Sequence, residues 1–426
     1  MSSAGRDDEP DLPLEGIKVV DFTRFVAGPY ATMLLADAGA EVVKIEPIGG
    51  ESSRSLDPML SSDDRAFSGY FMRFARWKRS VEVDFSSPSD RDLVLELIRD
   101  ADVLVENFRP NVMTSMGFGY EFCRTVNPSL VYCSISGFGH TPSDYRDYPA
   151  LAIVAEAMAG VVARVRNPDE PPARVGAPIG DLYAGVMAVS GINMALVRQL
   201  RSGRGSHVDI SMYDSMLSLN ESAISFAGMA GEETIPVGDP TYTAPFGFFR
   251  ASDGYVCIGV LGESLWLKFC AIIDRPDLAE RADLRSGNER SRVLESLLRP
   301  AIEAWLSSRT KEEAAETLMT NGVPAATLQG ALEILASQQV RDRGMLIDGV
   351  TPNDLTAQLV NSPIFMTPPG RRSDVGQQAF VAAAGQHTAE VVTERRLAAR
   401  QRDAVQAEGP VASNGNGVNE RSGRDH

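Results

Sequence analysis

Between residues 17 and 135 short apolar runs alternate with helical stripes, and that rhythm limits the fold more than any other feature. Ile17-Lys-Val-Val-Asp-Phe22 reads as a buried strand, Ala31 to Ala38 as a helix, and Glu41-Val-Val-Lys-Ile-Glu46 as a second strand. Gly39 sits just past that helix, where a left-handed residue ends it most readily. Ser80-Val-Glu-Val83, Asp102-Val-Leu-Val105 and Leu130-Val-Tyr-Cys-Ser-Ile135 are further strands. The helix before the second of these is well signalled: Ser87 as N-cap, Pro88 after it, Asp90 at N3, then one apolar stripe of Val94, Leu97, Ile98 and Ala101. Strands joined by helical crossovers pair in parallel and are covered on both faces. The expectation is an α/β fold, a doubly wound and mostly parallel sheet, in a large domain over residues 13–225.

Beyond Ala184–Leu200, a helix with Gly185, Ala188 and Gly191 on it, and a strand at Ser206–Ile210, residues 226–240 look like a linker. A smaller α+β domain is expected over 241–340. It has a strand at 255–260 and helices around 264–273, 290–307 and 311–320, the last with a capping box from Thr310 to Glu313. Residues 341–395 return to the large domain. Residues 1–12 read as a leader tail and 396–426, polar and Gly/Asn-rich, as a disordered one.

Charge and motifs exclude several function classes. With 41 basic against 57 acidic residues the formal charge is −16, which disfavours nucleic acid and points to small-molecule partners. The N-terminus lacks the apolar core of a secretory signal, and the most apolar stretch, Ala150 to Val165, contains Glu156 and is too short to span a bilayer. The four cysteines form no CxxC pair, as in a reduced cytoplasmic protein without membrane partners. His140, His207, His387 and His426 are isolated, so no metal site is expected. The turn Thr23–Pro29 holds a single glycine, too few for a dinucleotide fingerprint, and neither a GxxxxGK[ST] loop nor a GxSxG elbow occurs.

The richest segment is Gly176-Ala-Pro-Ile-Gly-Asp-Leu-Tyr-Ala-Gly185, with Asp181 where a helix begins. One reading makes Asp181 an N-cap, stabilising by about 1 kcal/mol. The other makes it a nucleophile. With an ordinary pKa of about 3.9 it is ionised at neutral pH and attacks an acyl carbonyl without a base, beside amide N–H groups suited to an oxyanion.

Pro13-Leu-Glu-Gly-Ile-Lys-Val-Val-Asp-Phe22 with Ala27-Gly-Pro29, and Gly39–Glu46, resemble the opening of class III CoA-transferases, the CaiB–BaiF family. So do Lys78-Arg-Ser80, Val105-Glu-Asn-Phe-Arg-Pro110, Ser134-Ile-Ser-Gly-Phe-Gly139 and Gly180-Asp181, and later Gly203-Arg-Gly205, Gly322-Val-Pro324 and Gly385-Gln-His-Thr388. The resemblance implies a large domain built from both termini, an inserted small domain, and an interlocked homodimer with the active site between the large domain of one subunit and the small domain of the other. It implies CoA transfer from an acyl-CoA donor to a carboxylic acid acceptor, through an aspartyl anhydride and an aspartyl-CoA thioester on Asp181. CoA thioester is then substrate, and no tightly bound cofactor is needed. It assigns CoA and substrate contacts to Arg24, Asn107, Phe108, Phe138, Gly139, His140, Lys78 and Arg79, the last two toward CoA phosphates. Pro47, Ser86 and Ser115 stand where relatives carry basic residues, and Val26 replaces a polar side chain. The alternatives are an acyl-CoA racemase or epimerase, whose Gly-His-Asp segment is here Ala150-Leu-Ala152, and a non-catalytic partner subunit.

Overall fold

Six parallel strands make the main sheet: β1 (Lys18–Asp21), β2 (Glu41–Pro47), β3 (Lys78–Val83), β4 (Val103–Glu106), β5 (Val131–Ser136) and β6 (Ser206–Ser211). A computed structural model describes them together with the rest of residues 12–62, 65–164, 171–174, 176–232, 243–367, 372–374 and 377–408. The strand order is β3-β2-β1-β4-β5-β6, so the winding reverses between β1 and β4. Alternation along each strand feeds two cores. Val19, Val42, Val103 and Val131 pack on one face under α1 (Ala27–Asp37), and Val20, Val43, Leu104 and Tyr132 on the other under α2 (Pro88–Asp100) and α3 (Tyr120–Val126). Ser87 caps α2 by accepting from the Asp90 N–H, as its sequence indicates.

The first face is completed by α4 (Ala152–Met158) and α5 (Ile179–Ser202). Small residues let α5 lie close to α1: a Cβ at Gly185 would come within 2.8 Å of the Ala27 carbonyl oxygen. Among the described residues α5 is the one helix long and apolar enough to cross a membrane by length and composition; here one face of it is core.

Three boundaries move. Leu12, placed in the leader by sequence, is buried, and the rest of that leader lies outside the described residues. The expected linker at 226 begins inside a helix, Glu221–Ala230. The tail expected from 396 is helical to Glu408: α6 (Thr388–Glu408) lies on β3 and α2, where Arg395 and Arg402 pair with Asp100 and Arg402 also with Glu96. Its polar composition reads as disorder in isolation, yet these arginines face carboxylates from a distant helix. Ahead of α6, residues 385–388 cover the outer edge of β3. The His387 N–H donates to the Ser80 carbonyl (2.9 Å), the Ser80 N–H to His387 Nδ1 (3.2 Å), and the Glu82 N–H to Thr388 Oγ1 (3.0 Å).

The inserted region has its own core, from Ala244 to Val323, around an antiparallel sheet of Phe246–Arg250, Tyr255–Gly259 and Ala325–Thr327. The helix expected over 290–307 is interrupted by a wider π-type turn, Leu294–Leu298, just before Pro300, which cannot donate to the preceding turn. The capping box of Thr310 and Glu313 forms. A second three-stranded sheet, Leu346–Val350 with Thr356–Val360 and Ala379–Phe380, returns the chain to the large domain. Buried Arg76 ties it there, holding both Asp37 oxygens at 2.7 Å and the Val360 carbonyl at 2.9 Å.

Candidate active site

In open α/β sheets a crevice forms outside the carboxyl ends of the strands where the winding reverses. Here that point lies between Arg24, after β1, and Asn107, after β4. The two are laced together: the Arg24 N–H donates to Asn107 Oδ1 and Asn107 Nδ2 donates to the Arg24 carbonyl, both at 2.8 Å. The Arg24 guanidinium lies 4.4 Å from the Phe108 ring centroid. Phe25 beside it holds a left-handed backbone (φ 65°), a strained conformation for a bulky side chain. A cleft of about 370 Å³ opens there, lined by Arg24, Asn107, Phe108, Arg109, Tyr70, Ser136, Gly137, Arg146 and Asp181.

Asp181 enters this cleft from the first turn of α5. It is the third residue of the helix, not its cap; Pro178 holds the cap position and offers no side-chain acceptor. Instead, Glu156 of α4, 4% exposed, reaches across and accepts the Gly180 N–H at 3.0 Å. The helices meet closely: a Cβ on Gly180 would stand 3.0 Å from the Ala152 Cα and carbonyl oxygen. With the capping role taken by Glu156, the Asp181 carboxylate has no hydrogen-bond donor among the described residues. Burial, and then the neighbouring Glu156, push its pKa from the ordinary 3.8 to about 6, while Arg73 pulls the other way. Its pKa is therefore higher than that of an ordinary aspartate. This carboxylate is more basic, and still largely ionised at neutral pH.

A family model for CoA-transferase family III matches residues 14–377. The chain belongs to CoA-transferase family III. A succinyl-CoA:mesaconate CoA-transferase of Haloarcula hispanica is 39% identical over 360 residues, covering 83% of this chain and 90% of its own. An acetyl-CoA:oxalate CoA-transferase of Acetobacter aceti is 36% identical over 343 residues, covering 80% and 86%. The crystal structure of a CAIB/BAIF family protein from Brucella suis superposes with a TM-score of 0.78 at 27% identity, over 90% of this chain and 99% of that one. The protein is thus an enzyme of the CoA-transferase class, handling acyl-CoA and carboxylic acid substrates.

Not every residue assigned from sequence reaches this cleft. Lys78, expected at CoA phosphates, is a core residue, 2% exposed. Its Nζ donates to Thr32 Oγ1 (2.7 Å), the Pro29 carbonyl (2.9 Å) and Asp21 Oδ2 (3.1 Å). Burial alone would raise Asp21, but Lys78, Lys44 and two threonine hydroxyls hold it down at about 2. Arg79 points the other way along β3, to Glu390 and Glu394 of α6. Phe138 packs on Tyr145 and Tyr213, and Gly139 bonds Ser136 and faces Asp209; the loop meets the cleft through Ser136 and Gly137 instead.

His140 lines a neighbouring cavity of about 760 Å³ with Tyr120, Ser134, Arg146 and His207. Its Nε2 lies 3.6 Å from Glu106 Oε1, neither having a hydrogen-bond partner. Burial pushes the Glu106 carboxyl up to about 7. Its other oxygen accepts the Phe108 N–H at 2.8 Å. Sequence reasoning did not assign Tyr70, Arg109, Arg146 or Glu156 to the site. Glu156 alone left a trace, as the one carboxylate within the apolar run 150–165. Among the described residues no group of three His, Cys, Asp or Glu side chains is arranged to hold a metal.

Proposed function

We propose that this enzyme moves CoA between short carboxylic acids through covalent intermediates on Asp181. An Asp181 oxygen attacks the thioester carbonyl of the donor, and the tetrahedral adduct expels CoA thiolate, leaving a mixed aspartyl anhydride. The thiolate then attacks the aspartyl carbonyl carbon and releases the donor acid as its carboxylate, giving aspartyl-CoA thioester. An acceptor carboxylate repeats the two steps in reverse order, forming a second anhydride and then the product thioester, and Asp181 is restored. No proton is gained or lost, so no histidine base is required. The observation that carries this reading is the Asp181 carboxylate, free of donors and raised in basicity, facing the cleft at the sheet's switch point.

The names of the relatives, which pair succinyl-CoA with mesaconate and acetyl-CoA with oxalate, support short acids as the substrate class. Exposed Met194, Val197 and Leu200 on α5 form an apolar face that supports a homodimer, which we take to be interlocked. We place the enzyme in the cytoplasm without a tightly bound cofactor. The test is chemical trapping. Incubation with a donor acyl-CoA and quenching with hydroxylamine should leave a mass change on the peptide carrying Asp181. A panel of donors and acids that yields new CoA esters without any modification of Asp181 would refute the covalent route.

A further inference from the structure

We propose that Arg146 is the anion-binding residue of the Asp181 cleft, receiving an acidic group of the bound substrates: a phosphate of the CoA carrier or the second carboxylate of a dicarboxylic acid. The inference rests on the transfer reading above and adds to it the residue that selects charged ligands. Arg146 stands on the wall shared by the 370 Å³ cleft and the 760 Å³ cavity beside it. One arm of its guanidinium is fixed: Nη2 donates to Asn111 Oδ1 at 3.0 Å, and Asn111 itself is held in a left-handed turn (φ 71°) after Pro110. Its Nε–H is shut away from solvent and has no partner.

No carboxylate pairs with Arg146 among the described residues, although Asp144 and Asp147 are its near neighbours in sequence. Arg54 and Arg76 show the contrast, each gripping a carboxylate with two nitrogens. A guanidinium partly withdrawn from water without a counter-charge is unfavourable, and an anionic ligand offsets that. The planar fork, with one arm already oriented, suits the two oxygens of a carboxylate or phosphate. The other arginines of the cleft, Arg24 and Arg109, are solvent-exposed, and Arg24 already lies over the Phe108 ring. Asp181 lies on the helix side of the cleft with Glu156 buried behind it, so an acidic substrate group needs a cation on another wall.

The test compares wild type with Arg146→Gln and Arg146→Lys in transfer to succinate and to butyrate, acids of equal carbon number with and without a second carboxylate. Calorimetric titration with CoA accompanies it. Loss of one charge-assisted contact should weaken the ligand concerned about 10- to 100-fold. If the partner is the second carboxylate, Arg146→Gln raises the KM for succinate and leaves that for butyrate in place. If it is a phosphate, the Kd for CoA rises and the two acids are affected alike. Arg146→Lys recovers only part of either loss. Asn111→Gly, which keeps the left-handed turn but frees the guanidinium, should move the same constant in the same direction by less. Folded Arg146→Gln with wild-type KM for both acids and wild-type Kd for CoA would overturn the proposal. A wild type that binds CoA through Arg146 yet transfers it to no acid would overturn the transfer reading alone.

Discussion

Replacing Asp181 with Asn should stabilise the protein at neutral pH while abolishing transfer. In the fold the carboxyl is raised from 3.8 to about 6 by burial and by Glu156. The full difference corresponds to about 3 kcal/mol against the ionised form, and partial solvent contact trims this to about 1–2 kcal/mol. Asn has nearly the same shape and carries no charge, so it escapes the penalty. Because the folded pKa lies above the unfolded one, the penalty is absent below about pH 4, grows as pH rises through 6, and is complete above about pH 7. Urea unfolding of both proteins at equal concentration should therefore show the variant ahead by about 1–2 kcal/mol at pH 8, with the two converging near pH 4.5. A variant less stable than wild type at pH 8 would mean that Asp181 serves the helix as a cap. A gap that does not shrink in acid would also refute the argument. Glu156→Gln keeps an acceptor for the Gly180 N–H but removes the charge, so the acidic limb of the kcat profile should shift to lower pH.

Lys78→Met, which leaves Asp21 buried and short of its main cation, should cost about 3–5 kcal/mol in chemical unfolding, with the KM for acyl-CoA unchanged in the folded fraction. Gly180→Ala should depress kcat by an order of magnitude or more in steady-state assays, because its methyl group forces the start of α5 away from α4 and shifts Asp181. Ending the chain after Leu397 removes the second half of α6 with the Arg402 ion pairs, and should lower the unfolding free energy by about 1 kcal/mol or less. Ending it after Ala384 uncovers the edge of β3, and size-exclusion chromatography should then show aggregation.

What the sequence reveals is set by the range of the interactions involved. Periodicity and caps are local, so the six strands, α2 with Ser87, and the Thr310 capping box are readable from the chain itself. Asn107 and Phe108 are readable only through resemblance, since their pairing with Arg24 spans 83 residues. The corrected positions depend on distant partners. Lys78 looks like a surface charge at the start of a strand until Asp21, 57 residues earlier, is brought beneath it. Asp181 looks like a cap because the acceptor that takes that place, Glu156, comes from a different helix. Arg146 sits in a polar loop with no periodic pattern and gains meaning only where two cavities share a wall.

The cover over β3 also bears on how the chain is made. Ser80 and the His387 that shields it are separated by 307 residues. At typical elongation rates a ribosome needs roughly 15–60 s to bridge that interval. During it, β3 has β2 on one side and uncovered backbone groups on the other, while the inserted region, with a core of its own, is free to fold. Newly made chains should therefore depend on holding chaperones late in synthesis, and slowing translation downstream of β3 should lower soluble yield without altering the stability of the finished protein.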